Sequence, residues 1–148
     1  MCPPFFDGGY AYCYIPTDEN ERKMEKLEME FTLKTSSKVL YTMLSTPSGL
    51  SRWFADDVNI HRDGTYIFLW EGSEEHARMT GKKRDEFVRY KWVEDEEDHT
   101  FFEFRIRIDP LTKDVALIIT DFCEEGEEEE TQDLWEKQVD TLRHNIGG

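Results

Sequence analysis

A pair of short helical patterns set between β-like stretches constrains this chain more than any other feature. The pair spans residues 36–54, where Ser36 or Ser37 can cap a first helix and Val39, Leu40, Met43 and Leu44 fall on one face. Thr46 can cap a second helix with Pro47 at its first position, where a missing N–H costs nothing, and Leu50, Trp53 and Phe54 form the next apolar face. Before the pair, Leu27, Met29, Phe31 and Leu33 alternate with Glu28, Glu30, Thr32 and Lys34, as in a strand with one wet face. After it, the pattern predicts strands over 57–61, 65–70, 76–83, 87–93, 100–109 and 114–122. Short turns such as Arg62-Asp63-Gly64, Arg84-Asp85-Glu86 and Pro110-Leu111-Thr112-Lys113 separate them, so neighbouring strands run antiparallel. A last helix is expected over about 130–146, with Leu134, Trp135, Val139, Leu142 and Ile146 on its apolar face. Glutamates crowd its start, Arg143 and His144 its end, and Gly147 follows as a stop, in accord with the helix dipole and C-capping rules.

A chain of 148 residues fits one domain and buries roughly 70% of its unfolded surface, enough for a core without a staple. Residues 24–148 are expected to form that domain. Residues 1–23, rich in Pro, Gly and aromatics, read as an N-terminal appendage in which Tyr10, Tyr12 and Tyr14 alternate as in a short strand, and Met24 could equally serve as a start. The predicted strand 65–70 is apolar on both faces, so its outer face needs a cover, from this appendage or from a second copy of the chain. Eighteen Lys and Arg against 33 Asp and Glu give a formal net charge of −15, which argues against nucleic acid and anionic membrane surfaces as partners. No run approaches the roughly 20 apolar residues of a membrane span. Cys2, Cys13 and Cys123 are odd in number and lack C-x-x-C spacing, so neither a disulfide framework nor a zinc site is suggested, and a reducing, cytoplasmic setting fits.

The order strand, two helices, six strands, long helix is that of the helix-grip fold, an α+β architecture with a curved antiparallel sheet of about seven strands around a C-terminal helix. The sequence resembles the START-like (SRPBCC) superfamily, and within it the activator-of-heat-shock-chaperone-ATPase-like families. Carrying the resemblance are Val39-Leu40-Tyr41-Thr42-Met43-Leu44-Ser45-Thr46-Pro47, Leu50-Ser51-Arg52-Trp53-Phe54, Gly64 opening a strand, Tyr90-Lys91-Trp92 and Trp135. It covers about residues 27–146, and Thr46 stands where the family commonly has Asp, a change that keeps the capping role.

Nothing in the sequence reads as catalytic machinery. His61, His76, His99 and His144 are scattered, without H-x-x-x-H or H-E-x-x-H spacing, and read as surface residues rather than metal ligands. Asp56-Asp57 reads as a helix-to-strand turn rather than an acid–base pair. The aromatic residues are more telling. Trp53, Phe54, Tyr66, Phe68, Trp70, Tyr90, Trp92, Phe102, Phe104 and Trp135 would surround the space between the sheet and the last helix, where they either fill a core or line a pocket. The superfamily resemblance implies a non-catalytic binding module for a small apolar or amphipathic ligand, needing no cofactor and no metal. The implied ligand-binding set is Trp53, Phe54, Tyr66, Phe68, Tyr90, Trp92, Phe104, Trp135, Val139 and Leu142, with Trp53 and Phe54 as a gate. Indole N–H groups of Trp53 and Trp92 and the Tyr90 hydroxyl would supply its orienting polar points. The alternative is an interaction protein or chaperone cofactor with a filled core, acting through its acidic surface on a protein partner or as a homodimer. A cyclase- or hydrolase-type enzyme is a third reading, disfavoured because Glu103, Arg105 and Arg107 alternate away from the presumed core face.

Overall fold

In the computed structural model, which describes residues 24–95 and 100–146, ten elements follow one another. They are β1 (Met24–Leu33), α1 (Ser37–Ser45), α2 (Pro47–Trp53), β2 (Asp57–Ile60), β3 (Tyr66–Trp70), β4 (Ser73–Lys83), β5 (Phe87–Trp92), β6 (Phe102–Ile108), β7 (Val115–Glu124) and α3 (Glu128–Ile146). One seven-stranded antiparallel sheet runs β1-β7-β6-β5-β4-β3-β2, so β7 returns beside β1 while the others pair in chain order. This is the expected α+β helix-grip arrangement, with α1, α2 and α3 covering one face of the sheet. The appendage assigned to residues 1–23, and His99, lie outside the described residues.

Capping decides where the helices begin. Ser36 Oγ accepts from Val39 N at 3.1 Å, and Thr46 Oγ1 accepts from Gly49 N at 3.0 Å. Thr46 also donates to Thr42 O at 2.7 Å, tying the two helices through one hydroxyl. Pro47 has no N–H to offer Met43 O, which would otherwise be its partner one turn back. The Trp53 indole N–H takes that place at 2.9 Å, while the hydroxyls of Tyr90 and Tyr66 donate to Leu44 O and Ser45 O at 2.8 and 2.7 Å. Three successive carbonyls at the end of α1 are thus satisfied by aromatic tips reaching from α2, β5 and β3.

Two local expectations are corrected. Val39 is 47% exposed, because the buried stripe of α1 centres on Leu40, Met43 and Leu44 and leaves Val39 at its edge. β4 starts at Ser73 rather than at residue 76, since Glu71 and Gly72 alone form the turn, with Gly72 at φ 85°. The polar run Ser73-Glu74-Glu75 lacks the apolar alternation that marks a strand, and pairing with Trp70, Leu69 and Phe68 is what makes it one. On the sheet face away from the helices, Glu103 is only 5% exposed, held by Arg89 at 2.7 Å and Arg105 at 3.1 Å. Burial alone would raise its carboxyl, and the two guanidiniums more than offset that and hold it below the usual range.

Candidate functional site

The expected ligand-binding residues come together in one buried cluster. Trp53, Phe54, Tyr66, Phe68, Tyr90, Trp92, Phe104, Trp135, Val139 and Leu142 are all 7% exposed or less. Their rings lie against one another: Phe54 is 5.1 Å from Phe68, 5.6 Å from Trp53 and 5.7 Å from Trp135, centroid to centroid. Tyr90 stacks at 5.2 Å on Phe102, which lies 4.8 Å from Trp92. Separations of this size are those of offset and edge-to-face aromatic packing. The Trp53 N–H and the Tyr90 hydroxyl, expected to orient a ligand, are committed to Met43 O and Leu44 O.

One polar group sits inside this cluster. Asp121 on β7 is 4% exposed; Trp135 donates its indole N–H to Oδ2 at 2.9 Å and the Phe122 backbone N–H donates to Oδ1 at 2.7 Å. Burial pushes its carboxyl up to about 7, against the pull of those two donors. The pair fastens α3 to β7.

Beside the cluster, a cleft of about 330 Å³ opens between the end of α2, the end of β3 and the middle of α3. Trp53, Phe54, Ala55 and Trp70 form its floor, and Ser51, Arg52, Asp56, Gln138 and Thr141 its polar rim. The end of α2 is built into α3 and β3 here. Gln138 donates to Phe54 O at 3.1 Å, Trp70 donates its indole N–H to the same carbonyl at 2.9 Å, and Asn145 donates to Arg52 O at 2.9 Å. These bonds satisfy carbonyls that a helix end leaves without partners. Of the expected set, Trp53 and Phe54 reach the cleft; the rim residues escaped the sequence reading. Gln138 and Thr141 flank the apolar stripe of α3, the one pattern that could have marked them.

A second cavity of about 240 Å³ lies over β2, β3 and β4 and is lined by His61, Asp63, Thr65, Ile67, His76, Arg78 and Val93. His61 and His76 are exposed and face Asp63 at 3.4 Å and Glu74 at 2.7 Å. Among the described residues, no three His, Cys, Asp or Glu side chains are grouped so as to hold a metal ion. Asp56 and Asp57 serve the turn, accepting from Glu71 N and Val58 N at 2.9 Å each.

Comparison with known proteins places the chain. Residues 21–148 match the START-like superfamily domain. The solution structure of BfR322 from Bacteroides fragilis is 36% identical, with 83% of this chain and 91% of that one covered and a TM-score of 0.60. The Aha1 dimer from Colwellia psychrerythraea shares the fold at 15% identity, covering 82% of this chain and 96% of that one, with a TM-score of 0.69. CalU16 from Micromonospora echinospora does so at 14% identity over 84% of this chain and 82% of that one, with a TM-score of 0.64. No curated protein matches. No helix among the described residues is long and apolar enough to cross a membrane.

Proposed function

The chain belongs to the START-like superfamily, and we propose that it is a non-catalytic binding module for a small amphipathic molecule, held where the sheet, α2 and the C-terminal helix meet. The observation that carries this reading is the cleft of about 330 Å³, within the size range of small-molecule sites, where the half-buried Trp70 meets a largely polar lining. Trp70, half-buried, offers the ligand its ring, while Trp53 and Phe54, almost wholly buried, back it together with Tyr66, Phe68, Tyr90, Trp92, Phe104, Trp135, Val139 and Leu142. That backing gives the floor its rigidity. The binding residues sit on α2, β3 and α3, tied by three side-chain bonds to α2 carbonyls, so little ordering is left to be done on binding. Chemistry on the ligand is disfavoured because Ser51, the hydroxyl nearest the floor in sequence, donates to Ser48 O at 2.9 Å and has no imidazole in the lining to activate it.

Titration with the neutral fluorescent amphiphile N-phenylnaphthylamine tests the reading. The wild type binds it saturably, and Thr141→Trp, which puts an indole across an exposed rim position, abolishes binding without lowering the melting temperature. Absence of saturable binding by the wild type overturns the reading. A second reading, an interaction protein acting through its acidic surface, is favoured by the mutual packing of the rings and by the structural similarity to an Aha1 dimer. On that reading Trp135→Ala creates probe binding that the wild type lacks.

A further inference from the structure

Resting on the cleft reading above, the geometry points to an oxyanion on the ligand, a carboxylate, sulfonate or phosphate on an apolar body, gripped by the guanidinium of Arg52. The polar inventory of the rim leads there. Ser51 donates to Ser48 O at 2.9 Å, Thr141 to Lys137 O at 3.3 Å, and Gln138 to Phe54 O at 3.1 Å. Asp56 Oδ2 accepts from Glu71 N at 2.9 Å. The Arg52 side chain makes no hydrogen bond and no ion pair among the described residues, although its own backbone carbonyl is held by Asn145. Its five N–H donors therefore stand uncommitted at the edge of an aromatic floor, in a fork that matches planar oxyanions two bonds at a time.

Comparison with the other cavity sharpens the choice. There Arg78 Nη2 lies 3.7 Å from Asp63 Oδ2, and Asp63, held down to about 2 mainly by its hydrogen bonds from Thr65, stays ionised and neutralises it. Arg52 has no such counter-ion, so an anion entering this cleft displaces no carboxylate. A net charge of −15 opposes anions at long range, but charges beyond about 8 Å are largely screened at physiological salt. The nearest guanidinium then decides. Asp56, in the same lining, repels the same anion and gives the inference a second handle.

Anilinonaphthalene sulfonate and N-phenylnaphthylamine share a ring system and differ by the sulfonate, so together they separate charge recognition from binding. Wild type is expected to bind the sulfonate more tightly than the neutral probe in physiological salt. Arg52→Gln should weaken the sulfonate about tenfold, the scale of one hydrogen bond to a charged group, and leave the neutral probe unchanged. Asp56→Asn, whose amide oxygen still accepts from Glu71 N, should tighten the sulfonate about twofold, the scale of a solvent-exposed charge pair, and leave the neutral probe unchanged. If Arg52→Gln leaves sulfonate affinity intact while both probes bind saturably, the oxyanion inference falls and the cleft reading stands. A loss of both probes in Arg52→Gln also overturns it, because Arg52 then shapes the cleft rather than reading charge. If neither probe binds the wild type saturably, the cleft reading falls and the inference with it.

Discussion

At the scale of single residues, the buried Asp121–Trp135 pair has the most exposed consequence. Its carboxyl titrates near 7 in the folded chain and near 3.8 when free, so between those values the folded state holds a proton that the unfolded state has released. Stability from this group is therefore fully present below about pH 4 and lost progressively as pH rises to about 7, a difference of about 4 kcal/mol. Asp121→Asn keeps an acceptor for the Trp135 N–H and removes the titration. The stability difference between wild type and Asp121→Asn, from urea melts, should grow in favour of Asn from pH 4 to pH 8; a constant difference contradicts the burial argument. Trp135→Phe keeps a ring against Phe54 and Phe104 but withdraws the donor, and a carboxylate suffers from that more than a carboxylic acid. Its cost, about 1–3 kcal/mol, should accordingly be larger at pH 8 than at pH 5.

Elements meet most tightly where α1 crosses α2. A Cβ on Gly49 would lie 2.6 Å from the Met43 Cα and closer still to Thr42 O, and both are backbone atoms that cannot swing aside. Thr46, between the helices, caps one and bonds back to the other. Gly49→Ala gains helix propensity yet must push α2 off α1, dragging with it the Trp53 indole and the floor of the cleft. A loss of about 1–3 kcal/mol is expected, with a lower melting temperature and weaker probe binding together. An unchanged melting temperature would mean that the helices part without cost. Backbone closing on a glycine in this way fixes how far α2 stands from α1.

For the whole molecule, β7, one strand in from the β1 edge of the sheet, is buried along nearly its full length, with Ala116, Ile118, Thr120 and Phe122 inside on the face away from the helices as well. On the same outer face, Ile67 and Leu69 of β3 are half-buried. Apolar positions there motivate the proposal that residues 1–23, or a second copy of the chain, cover part of this face. Removing residues 1–23 should lower the melting temperature or change the mass seen by light scattering. A chain starting at Met24 that matches the full one in both measurements rules the proposal out.

Strand existence, helix existence and antiparallel order were readable from the sequence, because alternation and helical spacing report which side of an element is apolar, and that is a local property. Leu27 to Leu33, Leu50 with Trp53, and Trp135 with Val139 and Leu142 all show it, and the capping of α1 and α2 by Ser36 and Thr46 follows from hydroxyls at the right offset. The clustering of the ten aromatic and aliphatic residues expected to bind a ligand was legible for the same reason. Long-range pairing settled the rest. Whether Trp53 and Tyr90 present their polar tips to a ligand or to the end of α1 depends on how Pro47 empties one carbonyl and on where β5 passes. The start of β4 depends on a strand partner, the burial of Glu103 on two arginines from neighbouring register positions. The cleft itself arises where the end of α2 meets the polar flank of α3, elements more than 80 residues apart at the Gln138–Phe54 bond. Periodicity records the faces of elements one at a time; a site made between them exists only once packing has set their separation.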